Sequence, residues 1–78
     1  MKLGQLRTIL PDIRSRDALG SLVSAGWELS SVHVNGDTVS LYVDRVVDGF
    51  RWEVQASGSD LAATVVEAWA RAQTLAAS

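Results

Sequence analysis

Apolar residues recur at helical intervals near both ends of the chain and alternate with polar ones between them. Leu3, Leu6 and Leu10 share one helical face, and Pro11 follows. Proline cannot continue a helix without losing a backbone bond, so a short helix or turn over residues 2–10 is expected. Ser15 then suits an N-cap, Asp17 sits in a first turn, and Leu19, Leu22 and Val23 line one face. Gly26 can take the left-handed position after a helix end, which predicts a first full helix over residues 16–25.

From Trp27 the period becomes two. Asn35-Gly36 is a strong short hairpin signal, because both central turn positions need positive φ. Asp48-Gly49 repeats it, so three strands in a meander are expected. Val39, Leu41 and Val43 alternate cleanly, as do Phe50, Trp52, Val54 and Ala56. The first strand changes phase between Trp27/Leu29 and Val32/Val34, and one extra residue near Ser30-Ser31 repairs it as a β-bulge. The expected first-hairpin register pairs Val34 with Asp37, Val32 with Val39, Leu29 with Leu41 and Trp27 with Val43. The second pairs Val47 with Phe50, Arg45 with Trp52, Val43 with Val54 and Leu41 with Ala56.

A closing helix is predicted over residues 59–76, capped by Ser57 or Ser59, with Asp60 in its first turn. Leu61, Val65, Ala68, Trp69, Ala72 and Leu75 form its apolar stripe, and Glu67 precedes Arg71 by four residues, the favourable order for an ion pair. The expected fold class is α+β: a two-layer α-β-β-β-α domain, a three-stranded antiparallel meander with helices on one face. One domain spans residues 1–78, with a short helix or turn in 1–14 and the α-β-β-β-α core in 15–76. Its expected core is Leu19, Leu22, Val23, Trp27, Leu29, Val32, Val39, Leu41, Val43, Phe50, Trp52, Val54, Leu61, Val65, Ala68 and Trp69. The leucines at positions 3, 6 and 10, with Ile9, either cover the end of that core or form an apolar patch for a partner.

Composition adds exclusions. Cysteine is absent, which removes disulfides, thiolate zinc sites and thiol catalysis. Apolar residues make up 47% and charged residues 21%, an ordinary globular balance. No apolar run reaches the roughly 18 residues of a membrane span. Met1-Lys2-Leu3-Gly4-Gln5 lacks the apolar segment of a signal peptide, so a cytoplasmic protein is expected. The net charge is −2, and the one close cationic pair, Arg14 and Arg16, is flanked by Asp12 and Asp17. That argues against a phosphate-gripping surface and leaves basic protein surfaces as partners.

Candidate chemistry is sparse. His33, Ser40 and Asp44 could be imagined as a nucleophilic triad, but no sharp-turn nucleophile or oxyanion hole accompanies them. One histidine and scattered carboxylates give no metal-ligand spacing, and no cofactor motif is present. The expected reading is no enzyme. The outward row of the sheet is the candidate site: Glu28, Tyr42, Asp44, Arg51, Glu53 and Gln55, with Asp37 and Asp48 adding charge at the sheet ends. The register puts Asp44 opposite Glu53 and Glu28 opposite Tyr42, and like charges directly opposite are destabilising. Either Arg51 neutralises the pair, or an acidic, tyrosine-centred face docks on a basic protein surface. The open edges of the sheet could also join a partner strand or pair two copies.

The α-β-β-β-α order resembles that of double-stranded-RNA-binding domains over most of the chain. That family's second helix opens with a lysine-rich motif; the matching positions here, Gly58-Ser59-Asp60-Leu61, carry no cation. Asp17-Ala18-Leu19 through Gly26-Trp27-Glu28-Leu29, with the alanine-rich Asp60-Leu61-Ala62-Ala63 through Ala68-Trp69-Ala70, is similar to small phage-encoded α/β sandwich proteins that include anti-CRISPR proteins. This second resemblance implies a non-enzymatic inhibitor that binds a host protein or ribonucleoprotein complex, such as a CRISPR effector, and blocks a basic nucleic-acid-binding surface in the bacterial cytoplasm. The alternatives are a nucleic-acid module of the double-stranded-RNA type and a dimerising structural phage protein.

Overall fold

The helix after Pro11 opens earlier than its apolar spacing suggests. Asp12 caps α1 (Ile13–Ser24): its side chain accepts the Ser15 N–H at 3.1 Å and the Ser15 hydroxyl as well. These bonds favour the carboxylate and hold Asp12 below the ordinary aspartate range, the Ser15 hydroxyl contributing most. Ser15, the expected cap, is instead the third residue of α1, in its first turn, and is fully buried. The core domain therefore opens at Ile13, two residues inside the segment assigned to the N-terminal turn. The computed structural model describes residues 2–77, with side chains through Leu75. Met1, where the opening pentapeptide begins, and Ser78 lie outside the described residues.

Gly26, at φ +90°, ends α1. Its N–H donates to the Val23 carbonyl (3.1 Å) and that of Trp27 to the Leu22 carbonyl (3.0 Å), the two nested bonds of a Schellman motif. Ahead of α1, Leu3–Ile9 forms a 3-10 helix whose Leu3 and Leu6 are buried, as is Leu10 just beyond it. The leucines thus cover the end of the core. Arg16 Nε donates to the Leu10 carbonyl at 2.9 Å and holds this segment against α1.

The sheet comprises β1 (Glu28–Asn35), β2 (Thr38–Val47) and β3 (Phe50–Gly58), antiparallel, in the order β1-β2-β3. The bulge is where the phase change required it: pairing shifts between Leu29 and Ser31, leaving Ser30 as the extra residue. The second hairpin has the expected register, and Asp48 (φ +53°) and Gly49 (φ +81°) both take positive φ. The first hairpin differs. Its turn residues are Gly36 and Asp37, and of these only Gly36 has positive φ, at +61°. That pattern belongs to a type II′ turn, with glycine at the first central position. Asn35 therefore pairs with Thr38, Val34 with Val39, Val32 with Leu41 and Leu29 with Val43. The strand has slid by two residues, which keeps every side chain on its expected face.

Helix α2 (Leu61–Ala77) is capped by Asp60, which accepts the Ala63 N–H at 2.7 Å, rather than by Ser57 or Ser59. It packs on β3 and β2, and α1 packs on α2 and the 3-10 helix, so the helices share one face of the sheet. Leu41, Val43, Val54 and Ala56 meet Leu19, Leu22, Val65, Ala68 and Ala72 in the buried cluster. Fully buried Thr64 puts its hydroxyl 2.6 Å from the Asp60 carbonyl and 3.2 Å from the Val39 carbonyl, joining α2 to the sheet.

Three expected core residues are solvent-facing: Val23 (45% exposed), Phe50 (73%) and Trp52 (43%). For the aromatic pair the cause is length. Ten residues of β2 span about 33 Å, whereas the 17 residues of α2 rise about 25 Å. Because α2 begins beside the Gly58 end of β3, the opposite end of the β2–β3 hairpin projects past the helical layer.

Candidate protein-binding face

Each outward side chain owes its position to strand alternation, which sends one residue in two away from the helices. Register then orders them in rows. Glu28, Asp44 and Glu53 stand abreast across the three strands; Ser31, Tyr42 and Gln55 form the next row; His33, Ser40 and Ser57 form the third. Glu28 is therefore opposite Asp44 rather than opposite Tyr42. The two-residue slip at the first turn replaces a glutamate–tyrosine pair with a second pair of like charges. Asp44 consequently has a carboxylate on both sides.

Arg51 answers part of this charge. Its Nε lies 3.1 Å from Asp44 Oδ2, and Nη2 contacts the same oxygen. The guanidinium also lies 3.8 Å from Glu53. The Asp44 side chain is 21% exposed under this clamp, against 53% for Glu53 and 61% for Arg51. Glu28 has no ion pair among the described residues. Three carboxylates against one guanidinium leave the row acidic. Unit charges about 4 Å apart repel by only about 1 kcal/mol in water, so a solvated row can keep this surplus.

Tyr42 is half-buried beside the acidic row, with its ring meeting His33 edge-on at 5.6 Å and 87°. Ser40 shares a hydrogen bond with Ser57 across the strands, Oγ to Oγ 3.1 Å. The residues of the imagined triad thus have other partners: Asp44 holds Arg51, His33 packs on Tyr42 and Ser40 bonds Ser57. Among the described residues, no group of three His, Asp or Glu side chains could hold a metal ion, and no helix is long and apolar enough to cross a membrane.

Of the sequence-derived site residues, the fold unites Glu28, Asp44 and Glu53 in one row, brings the Arg51 guanidinium to it from the rung that pairs Val46 with Arg51, and puts Tyr42 in the next row on the other side. Asp48 stands apart, in the turn at the far end of the β2–β3 hairpin. The His33–Tyr42 ring contact had no signal in the sequence, because it depends on the slipped register. No protein-family model, no curated protein and no solved structure matches this chain.

Proposed function

We propose that this chain is a non-enzymatic protein-binding module whose helix-free sheet face docks on a basic protein surface. The observation that carries the reading is the Glu28–Asp44–Glu53 row with its single guanidinium. Such a row offers Glu28, which has no ion pair among the described residues, and the half-exposed Glu53 to lysine and arginine side chains, and Tyr42 adds a large, rigid contact beside it. Complementary charge speeds encounter and sets orientation more than it adds affinity. The narrower form of the proposal is a stoichiometric inhibitor of phage type, acting in the bacterial cytoplasm on a basic nucleic-acid-binding surface, with a CRISPR effector as one such target. That narrower form rests on the sequence resemblance alone.

The test compares capture from a bacterial lysate containing CRISPR effectors by the native chain and by the Asp44→Lys/Glu53→Lys double variant. The variant should keep its circular dichroism spectrum and lose the captured protein. Equal capture by the folded variant contradicts docking through this face. A captured effector supports the narrower form, whereas a different basic protein supports only the broader one. Salt-dependent retention of the isolated chain on double-stranded RNA would favour the nucleic-acid alternative.

A further inference from the structure

The two outer strands of the sheet are protected unequally. β1 carries the Ser30 bulge, a device that spoils an edge for further pairing. Among the described residues, β3 is guarded toward its C-terminal end, where Arg71 Nη1 reaches over from α2 and donates to the Gln55 carbonyl at 3.1 Å. Glu67 holds the same guanidinium at 2.9 Å. Among the described residues, no side chain covers the backbone of residues 50–53 in this way.

The second hairpin fixes which backbone groups are open. A two-residue turn makes Val47 and Phe50 a hydrogen-bonded pair, so Phe50, Trp52 and Val54 direct their N–H and C=O groups to β2. Those of Arg51, Glu53 and Gln55 point away from the sheet, as the Arg71 contact to Gln55 requires. Among the described residues, no hydrogen bond from outside the β2–β3 ladder reaches the backbone of Arg51 or Glu53.

We propose that this open half of β3 pairs antiparallel with the same segment of a second copy, centred on Trp52. The sequence there is self-complementary. With Trp52 opposite Trp52 of the partner subunit, Arg51 faces Glu53 of the partner subunit, and Glu53 faces the partner's Arg51. These two rungs are the ones whose backbone groups point outward, so each exchanges two hydrogen bonds. Trp52 falls in the rung between them, where side chains approach most closely. Phe50 comes opposite the partner's Val54, which gives the exposed aromatic pair an apolar neighbour. The arrangement is isologous, as a two-fold dimer demands. It joins two sheets into one of six strands, with both helical layers on one side and both acidic rows on the other. The inference goes beyond the docking proposal and does not depend on it.

Sedimentation velocity on the full chain over a wide concentration range tests it. The native chain should approach twice its monomer mass with rising concentration. Arg51→Glu alone, or Glu53→Arg alone, sets like charges on both rungs and should weaken self-association about tenfold. An equimolar mixture of the two variants puts two acids of one chain opposite two guanidinium groups of the other, and should recover native-like association. If a charge variant loses its fold, Glu53→Pro carries the test, because that N–H is not used by β2 and proline is tolerated at a sheet edge. A folded, monomeric Glu53→Pro supports the pairing. A native chain monomeric at every concentration overturns it; so does a mixture that associates no better than its components, or a folded Glu53→Pro that dimerises like the native chain.

Discussion

Gly58 shows how little room separates the sheet from its covering helix. A Cβ at that position would stand 2.8 Å from Thr64 Oγ1, 3.2 Å from the Thr64 backbone nitrogen and 3.4 Å from Ala63 Cβ. The hydroxyl is already committed to the Asp60 and Val39 carbonyls, and the nitrogen belongs to the first turn of α2, so neither can yield cheaply. Gly58→Ala is therefore expected to lower unfolding free energy by about 1–3 kcal/mol, the range for forcing atoms into a packed site. Urea denaturation reads this directly. At the same scale, Asp12 was not legible as the cap: in the sequence Ser15 is the expected cap, and Asp12 is only an acid flanking Arg14 and Arg16. Three hydrogen-bonding candidates, Asp12, Ser15 and Asp17, stand within six positions. What separates them is the burial of Ser15 against the core, a tertiary fact.

At the scale of elements, the N-terminal 3-10 helix is part of the core rather than an appendage. Leu10 is essentially inaccessible and Ile9, its neighbour, is exposed. Leu10→Ala should cost about 2–5 kcal/mol, while Ile9→Ala should stay within about 0.5 kcal/mol; paired denaturation curves check the contrast. If the segment were a free patch for a partner, both substitutions would be mild. Element order, the bulge and the second hairpin were all legible, because each rests on a local rule that the rest of the chain does not override. Asp48 and Gly49 can both adopt positive φ, and alternation on either side agrees with that turn. The first hairpin was not fully legible, since Gly36 supports either a turn over Asn35-Gly36 or one over Gly36-Asp37. A slip of two residues leaves the inward and outward sets unchanged, so hydrophobic pattern cannot choose between them. Phe50 and Trp52 were misread for a related reason: alternation assigns their face, but only the relative lengths of β2 and α2 decide whether that face is covered.

For the whole molecule, the helices take one side of the sheet and leave the other to polar rows. The outward assignment of Glu28, Asp44, Arg51 and Glu53 was legible from alternation alone. Their grouping was only half legible: the Asp44–Glu53 pair followed from the second turn, but Glu28 joined the row through the unforeseen slip. The consequence is physical, because three abreast carboxylates, of which only Asp44 and Glu53 meet the one guanidinium, present more uncompensated charge than the expected pair. The proposed edge pairing preserves that property. Each copy brings three acids and one arginine to the row, so a six-stranded sheet stays acidic on its open side. The central claim is that this face is the one that binds. Titrating the 15N-labelled chain with an arginine-rich peptide at low salt, and following backbone amide shifts by NMR, tests it most directly. Shifts confined to the rows of Glu28, Tyr42, Asp44 and Glu53, and reversed by added salt, are the predicted result; shifts centred on α1 or α2, or none at low salt, would contradict it.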